Sequence, residues 1–289
     1  MGRECKVLVG AGKKGVGKTV ETVRMLDEIV MGNPYEGIAP RKVLILDVND
    51  EYSDFWFFNN PHRKIKALAI KDIPLFTISN FCEIRRIRPF FDDGRKMSLD
   101  DMADTLAYIL SVYRCGTLVC EDPSKYISDS LKQDLIGALC TARHLSIDLI
   151  LHYQSIGKVG HPKLFANTDY IRMHKVNDSV SRHETKFQDK TELFMIAENI
   201  VNHKYYEEGK KRFFLFIDNG ESKIKAGEDR FTQKDIDRAI YEYISTKWQS
   251  LVKPYTHRIN PETRKKMYPD TNSILDMLSK KLKSTYFDE

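Results

Sequence analysis

The stretch Gly10-Ala11-Gly12-Lys13-Lys14-Gly15-Val16-Gly17-Lys18-Thr19 constrains the fold of this chain most, because it carries the spacing G-x-x-x-x-G-K-T from Gly12 to Thr19. The apolar run Lys6–Val9 precedes it and Val20–Leu26 follows, so the pattern predicts a loop between a short strand and a helix. Glycines let the backbone bend with its N–H groups inward, and a helix start adds partial positive charge, so the two together make an anion cradle. In a phosphate-binding loop of this kind Lys18 reaches the β- and γ-phosphates, and the Thr19 hydroxyl holds Mg²⁺. Gly12, Lys13, Lys14, Gly15, Val16, Gly17, Lys18, Thr19 and Val20 are therefore the candidate residues for binding ATP. The other reading is a glycine-rich turn that matches by chance.

A chain of 289 residues suits one large domain, or a domain with an appendage, and can bury a sizeable core. It shows no apolar run of the ~20 residues that span a bilayer and no signal-peptide pattern, so a cytoplasmic protein without a membrane span is expected. Cys5, Cys82, Cys115, Cys120 and Cys140 include no C-x-x-C pair, which argues against a disulfide framework or a zinc site and for reduced, mostly buried thiols. The net charge of +5 is mildly basic and by itself says little about nucleic acid.

Farther along, Gly32-Asn33-Pro34 stops the first helix, and Lys42–Asp47 reads as a buried parallel strand. An acid at the C-terminal end of such a strand lies on the ligand edge of a doubly wound sheet, so Asp47 either serves the nucleotide or holds the turn. Residues from about 52 to 97 read as an elaboration at the sheet edge, with the aromatic run Phe55-Trp56-Phe57-Phe58 and strand-like runs at Ile65–Ile70 and Leu75–Ile78. In the basic run Glu83–Arg88, the side chains of Arg85, Arg86 and Arg88 either contact phosphates or line a solvated strand. Ser98, with Asp101 in a capping box, starts a helix with the apolar stripe Met102, Leu106, Ile109 and Leu110, which ends near Cys115-Gly116.

Thr117-Leu118-Val119-Cys120 followed by Glu121-Asp122 has the form of a Walker B strand, usually hhhh-D-E, with the acids swapped. The first acid holds Mg²⁺ through water and the second polarises the attacking water, roles that fall by position to Glu121 and Asp122. Alternatively both acids merely begin the next turn. A helix from about 130 to 144, with Leu131, Leu135, Ile136, Leu139 and Cys140 on its apolar side, leads into the strand Ile147–Gln154. Gln154, at the end of that strand, is the candidate sensor of the γ-phosphate or the water. A fifth strand is expected at Asp169–Met173, after a short helical segment at Pro162–Ala166.

The run from Thr141 to Ser155 resembles the A-R-x-x-G-I-x-L-I-L-A-T-Q stretch of the FtsK/HerA superfamily of DNA-pumping ATPases, and Leu44–Tyr52 is similar to the D-P-x-G-E-Y strand of its HerA branch. The resemblance covers about residues 5 to 180. It implies that Arg143 is an arginine finger offered to ATP on a neighbouring subunit, and that the chain works as a homo-oligomeric ring on double-stranded DNA. No counterpart of the FtsK branch's separate membrane anchor and DNA-orienting domain is expected, so a minimal motor core like that of viral genome-packaging relatives is implied, with a capsid or portal as partner and a location in the host cytoplasm or on the virion. Three departures from the family pattern are the swapped acids, Ser146 in place of a glycine, and His152-Tyr153 in place of small residues. A second resemblance, of Lys13–Thr19 to the deviant Walker A of the ParA/MinD family, implies a nucleotide-switched dimer with Asp47 as switch acid. A structural protein that binds ATP with little turnover is a third reading.

Past residue 180 the pattern predicts a helix over Thr191–Val201, a hairpin over Arg212–Ile224 turning at Asn219-Gly220, a helix from Thr232 to about Trp248, and a last amphipathic helix over Ser273–Leu282. The expected fold is α/β: a three-layer P-loop NTPase with a mainly parallel sheet, a core over residues 1–227 and a small helical C-terminal extension over 228–289.

Overall fold

The computed structural model describes residues 5–52, 65–127, 137, 139, 141–159 and 162–288. Within them β1 (Val7–Ala11), β2 (Lys42–Leu46), β3 (Lys66–Ala67), β4 (Ile84–Ile87), β5 (Gly116–Glu121), β6 (Ile147–Tyr153), β7 (Tyr170–His174), β8 (Phe214–Asp218) and β9 (Lys223–Ala226) form one sheet of order β3-β4-β2-β5-β6-β1-β7-β8-β9. Every neighbouring pair from β3 to β7 is parallel, and β8 and β9 extend the sheet antiparallel.

Successive side chains along a strand point to opposite faces, so a continuous apolar run demands cover on both sides. Leu8, Val43, Ile45, Val119 and Ile150 pack with Val23, Leu26 and Val30 of α1 (Lys18–Met31). Their alternates Val7, Val9, Leu44, Leu46, Leu118, Leu149 and Leu151 belong to the opposite layer, with Leu106 and Ile109 of α2 (Leu99–Val112) and Leu193, Phe194 and Ala197 of α3 (Thr191–Tyr206). Each fully buried Leu or Ile of this kind stabilises the fold by about 1.5–3 kcal/mol over its exposed state. The result is the expected three-layer α/β P-loop NTPase fold, with β6 inserted between the phosphate-loop strand β1 and the acid-bearing strand β5.

The C-terminal segment is helical. Thr232 and Asp235 form a reciprocal capping box at the start of α4 (Gln233–Thr246), and α5 (Thr271–Tyr286) follows. Ile240, Ile244, Ile274 and Leu278 are buried in the same apolar cluster as α3.

Several local expectations change. Leu75–Ile78 is the end of a short helix, Ile73–Ile78, because Pro74 sits in its first turn, where a missing N–H costs nothing. In Ile65–Ile70 only Lys66–Ala67 is strand. α2 stops at Val112, where Tyr113 turns extended and its hydroxyl donates to the Lys42 carbonyl at 3.1 Å. Asn219 is buried, and its side-chain amide donates to the Phe165 and Thr168 carbonyls, so it anchors the hairpin turn to the segment before β7. Cys5 and Cys120 are buried free thiols, whereas Cys115 is exposed. Phe55-Trp56-Phe57-Phe58, Cys140 and most of the helix expected over 130–144 lie outside the described residues. Among the described residues no helix is long and apolar enough to cross a membrane.

Candidate functional site

A ligand of an open parallel sheet binds outside the C-terminal ends of the strands, where the connections diverge. Here β1, β2, β5 and β6 deliver their following residues to that edge. The loop after β1 is stitched to its neighbours: the Gly12 N–H donates to the Tyr153 carbonyl at 3.1 Å and the Lys13 N–H to the Lys175 carbonyl at 2.8 Å. At Gly17, the cap of α1, φ is 89°, in the left-handed region that favours glycine. A Cβ at Gly12 would lie 2.7 Å from the Cβ of His174, so the loop also needs glycine for close approach.

Lys18 turns back across the loop, its Nζ donating to the carbonyls of Gly12 at 2.5 Å and Lys13 at 3.0 Å. Burial pushes its pKa down, against the opposing pull of Glu121 and Asp122. A cavity of about 420 Å³ opens above it, lined by Lys14, Gly15, Gly17, Lys18, Thr19 and Val20 of the loop, and by Asn49, Glu51, Glu121, Asp122, Lys125, Gln154 and Arg212.

The two adjacent acids are held differently. Glu121 ends β5; its Oε1 accepts from the Tyr52 hydroxyl and, at 2.6 Å, from Nδ1 of His152. Burial raises its carboxyl, but His152, the Tyr52 hydrogen bond and the Lys18 charge outweigh this and hold it below the usual range. Asp122 adopts φ 44° at the cap of a single helical turn, and its Oδ2 accepts from Gln154 Nε2 at 2.5 Å and pairs with Lys125 at 3.2 Å. Gln154 is thus beside the acids, at the end of β6.

Of the sequence-derived candidates, Lys14, Gly15, Gly17, Lys18, Thr19, Val20, Glu121, Asp122 and Gln154 meet at this cavity. Gly12, Lys13 and Val16 shape the loop without lining it: Val16 is buried, and the Lys13 ammonium sits over the Tyr205 ring at 4.4 Å. Arg143 lies in the turn Ala142–Leu145 that precedes β6, at the opposite edge of the sheet, where it pairs with Asp169 at 2.7 Å. Asp47 is fully buried and accepts from the backbone N–H groups of Glu51 and Tyr52 and from Arg86, so of its two readings the turn-holding one describes it. Arg86 is buried in that ion pair, Arg85 pairs with Glu83 and Arg88 with Asp50, so each arginine of the basic run already has a carboxylate partner.

Asn49, Glu51, Lys125 and Arg212 are site residues that the motifs did not single out. Burial, with Glu121 and Asp47 nearby, pushes the Glu51 carboxyl up. Glu51 stood within a stretch already conspicuous; Arg212, two hundred residues from the loop by rough count, reaches it because β8 starts beside the end of β7.

Fold and site together define the class: a P-loop NTPase with a phosphate loop, adjacent acids and a polar strand end around one cavity. No protein-family model matches the chain, and no curated protein sequence does. Among solved structures it is similar to the genome packaging NTPase B204 from Sulfolobus turreted icosahedral virus 2 in complex with ATP-gammaS, at 16% identity and a TM-score of 0.47 over 80% of this chain and 100% of that one. It is also similar to the pCW3 conjugation coupling protein TcpA, at 13% identity and a TM-score of 0.40 over 78% of this chain and 58% of that one. A third similar structure is the N-terminal domain of zonular occludens toxin from Neisseria meningitidis, at 18% identity and a TM-score of 0.32 over 61% of this chain and 79% of that one.

Proposed function

We propose that this chain is an ATP-hydrolysing motor of the FtsK/HerA type that moves double-stranded DNA as a homo-oligomeric ring, with packaging of a viral genome against a capsid or portal as its setting. The observation that supports it is the convergence of Lys18, Thr19, Glu121, Asp122 and Gln154 on one cavity at the C-terminal edge of the sheet. Residues 1–227 form the ATPase core in this reading, and 228–289 an extension for docking a partner.

The loop N–H groups and Lys18 bind the phosphates, and Lys18 releases the Gly12 and Lys13 carbonyls to do so. Glu121 and Asp122 stand beside the same cavity, where a carboxylate orients the attacking water and takes its proton. Asp122 has Gln154 and Lys125 on one oxygen, and Glu121 has Oε2 without a donor among the described residues. Hard oxygen donors of this kind suit Mg²⁺: Thr19 and Glu121 are the residues that would hold it, and it would neutralise developing phosphate charge. A ParA/MinD-like switch would need Asp47 free to act, and Asp47 is spent on Arg86 and the turn.

The test is steady-state ATP turnover while double-stranded DNA is titrated in, with Lys18→Ala as blank. The motor reading expects turnover to rise with DNA and this gain to fall steeply with salt, because phosphate contacts dominate DNA affinity. Turnover indifferent to DNA would remove the motor and leave an ATPase.

A further inference from the structure

Four neighbouring strands bring one row of residues together. Glu121 on β5 is in register with His152 on β6, His152 with Gly10 on β1, and Gly10 with Arg172 on β7. Gly10 has no side chain to separate its neighbours: a Cβ there would lie 2.8 Å from Cδ2 of His152 and 3.6 Å from the Arg172 guanidinium. The imidazole and the guanidinium therefore meet across β1, Arg172 NH2 lying 3.2 Å from His152 Nε2. Thr22 of α1 completes the cluster, its Oγ1 2.8 Å from His152 Nε2 and 2.5 Å from Arg172 NH2. Arg172 also donates to the Lys18 carbonyl at 3.1 Å. Glu121, Thr22, His152 and Arg172 are all buried.

For a neutral His152 imidazole the protons of this network have one consistent arrangement. A carboxylate only accepts, so His152 donates to Glu121 from Nδ1, and Nε2 is left as an acceptor. Arg172 only donates, so it gives to Thr22 Oγ1, and the Thr22 hydroxyl gives to His152 Nε2. Tyr52 adds a second donor to the same Glu121 oxygen, Oε1. No described residue donates to Oε2, so the carboxylate is gripped on one oxygen and left open on the other.

We propose that His152 is a positioning residue for Glu121: the chain Arg172–Thr22–His152, made possible by Gly10, fixes the carboxylate so that Oε2 is the oxygen presented to the bound nucleotide. This rests on the ATPase reading and deepens it. It also gives a use to His152, which stands where the FtsK/HerA pattern has a small residue. Through the Lys18 carbonyl the same chain ties the first turn of α1 to the catalytic acid, so the phosphate loop and the acid keep one mutual placement.

The test compares kcat with affinity for a non-hydrolysable ATP analogue in the full chain. His152→Leu should lower kcat roughly 10- to 100-fold while analogue affinity stays within about twofold. His152→Asn, whose amide can occupy the Nδ1 position and donate to Glu121, should recover most of the loss. Unchanged kcat in His152→Leu, or a parallel loss of kcat and affinity that His152→Asn does not repair, would overturn the proposal. If His152→Leu does not fold, Thr22→Val carries the test, with a roughly tenfold kcat loss at held affinity expected and unchanged kcat overturning it. In the nucleotide-free protein, ¹⁵N spectra of the imidazole should show the Nδ1–H tautomer; the Nε2–H tautomer would contradict the network. A wild type that hydrolyses no ATP would instead bring down the ATPase reading, and this proposal with it.

Discussion

Arg143 and Asp169 close a 2.7 Å ion pair at the edge of the sheet opposite the phosphate loop. Asp169 Oδ2 also accepts the Val7 N–H at 2.6 Å, and Arg143 donates to the Asn167 carbonyl at 2.8 Å, so the pair joins the starts of β1, β6 and β7. β6 separates Arg143 from the cavity by roughly 20 Å, a strand rising about 3.3 Å per residue. Within one chain Arg143 is a strut, and any action on ATP has to be on a neighbour's.

The two roles separate in Arg143→Ala. A finger acting across subunits predicts that analogue binding by the isolated chain is unchanged while turnover of the assembled ring falls on the order of 10³-fold. Mixing Arg143→Ala with Lys18→Ala subunits should then restore part of the turnover. Full turnover by Arg143→Ala alone would leave only the strut.

Arg212 reaches the cavity from the segment before β8, packs over Gly17, and has no hydrogen-bond or ion-pair partner among the described residues. An unspent guanidinium beside a phosphate cradle favours the more highly charged nucleotide. Arg212→Ala should weaken an ATP analogue about tenfold, or ~1.4 kcal/mol, and ADP by less, as read by titration calorimetry. Equal losses for both would assign Arg212 elsewhere.

Arg86 and Asp47 form a buried pair at 2.8 Å. Burial pushes the Asp47 carboxyl up, with the Arg86 hydrogen bond opposing it. Removing the cation leaves a buried charge without its counter-ion, so Arg86→Ala should cost about 3–5 kcal/mol in urea denaturation at neutral pH. Since a raised carboxyl pKa favours the folded state at low pH, part of that loss should return as the solution is acidified towards the carboxylate range. A loss of under about 1 kcal/mol would mean that the pair is dispensable.

The capping box of α4 supplies the opposite pH sign. Burial raises the Asp235 carboxyl, but Lys204 at 2.8 Å and the Thr232 N–H and hydroxyl bring it from 3.8 to about 2. A depressed carboxyl contributes stability that is present above the unfolded pKa and lost as pH falls through the folded one. The stability gap between wild type and Asp235→Asn should be about 2 kcal/mol at pH 6 and close between about pH 4 and pH 2. A gap that does not change with pH would assign the effect to packing alone.

What could be read in advance was whatever the chain writes in consecutive residues. The phosphate loop, the strand ending in Glu121-Asp122 and the strand ending in Gln154 are local patterns, and they carried the layer architecture with them. Leu75–Ile78 reads as strand because a four-residue run with three apolar side chains fits strand and helix alike, and the Pro74 beside it favours a helix start. Arg212 and the row Glu121, His152, Gly10 and Arg172 were not legible, since they meet only through the register of strands far apart in sequence. Asp47 kept two readings because its partner, Arg86, sits on a strand whose pairing with β2 the pattern alone does not give.

The most direct measurement is phosphate release from ATP by the wild type and by Lys18→Ala, purified side by side. The account predicts steady release by the wild type and none above background for Lys18→Ala, whose folded core is otherwise intact by thermal melting. Equal release by both proteins, or none by the wild type at any protein concentration, would contradict it.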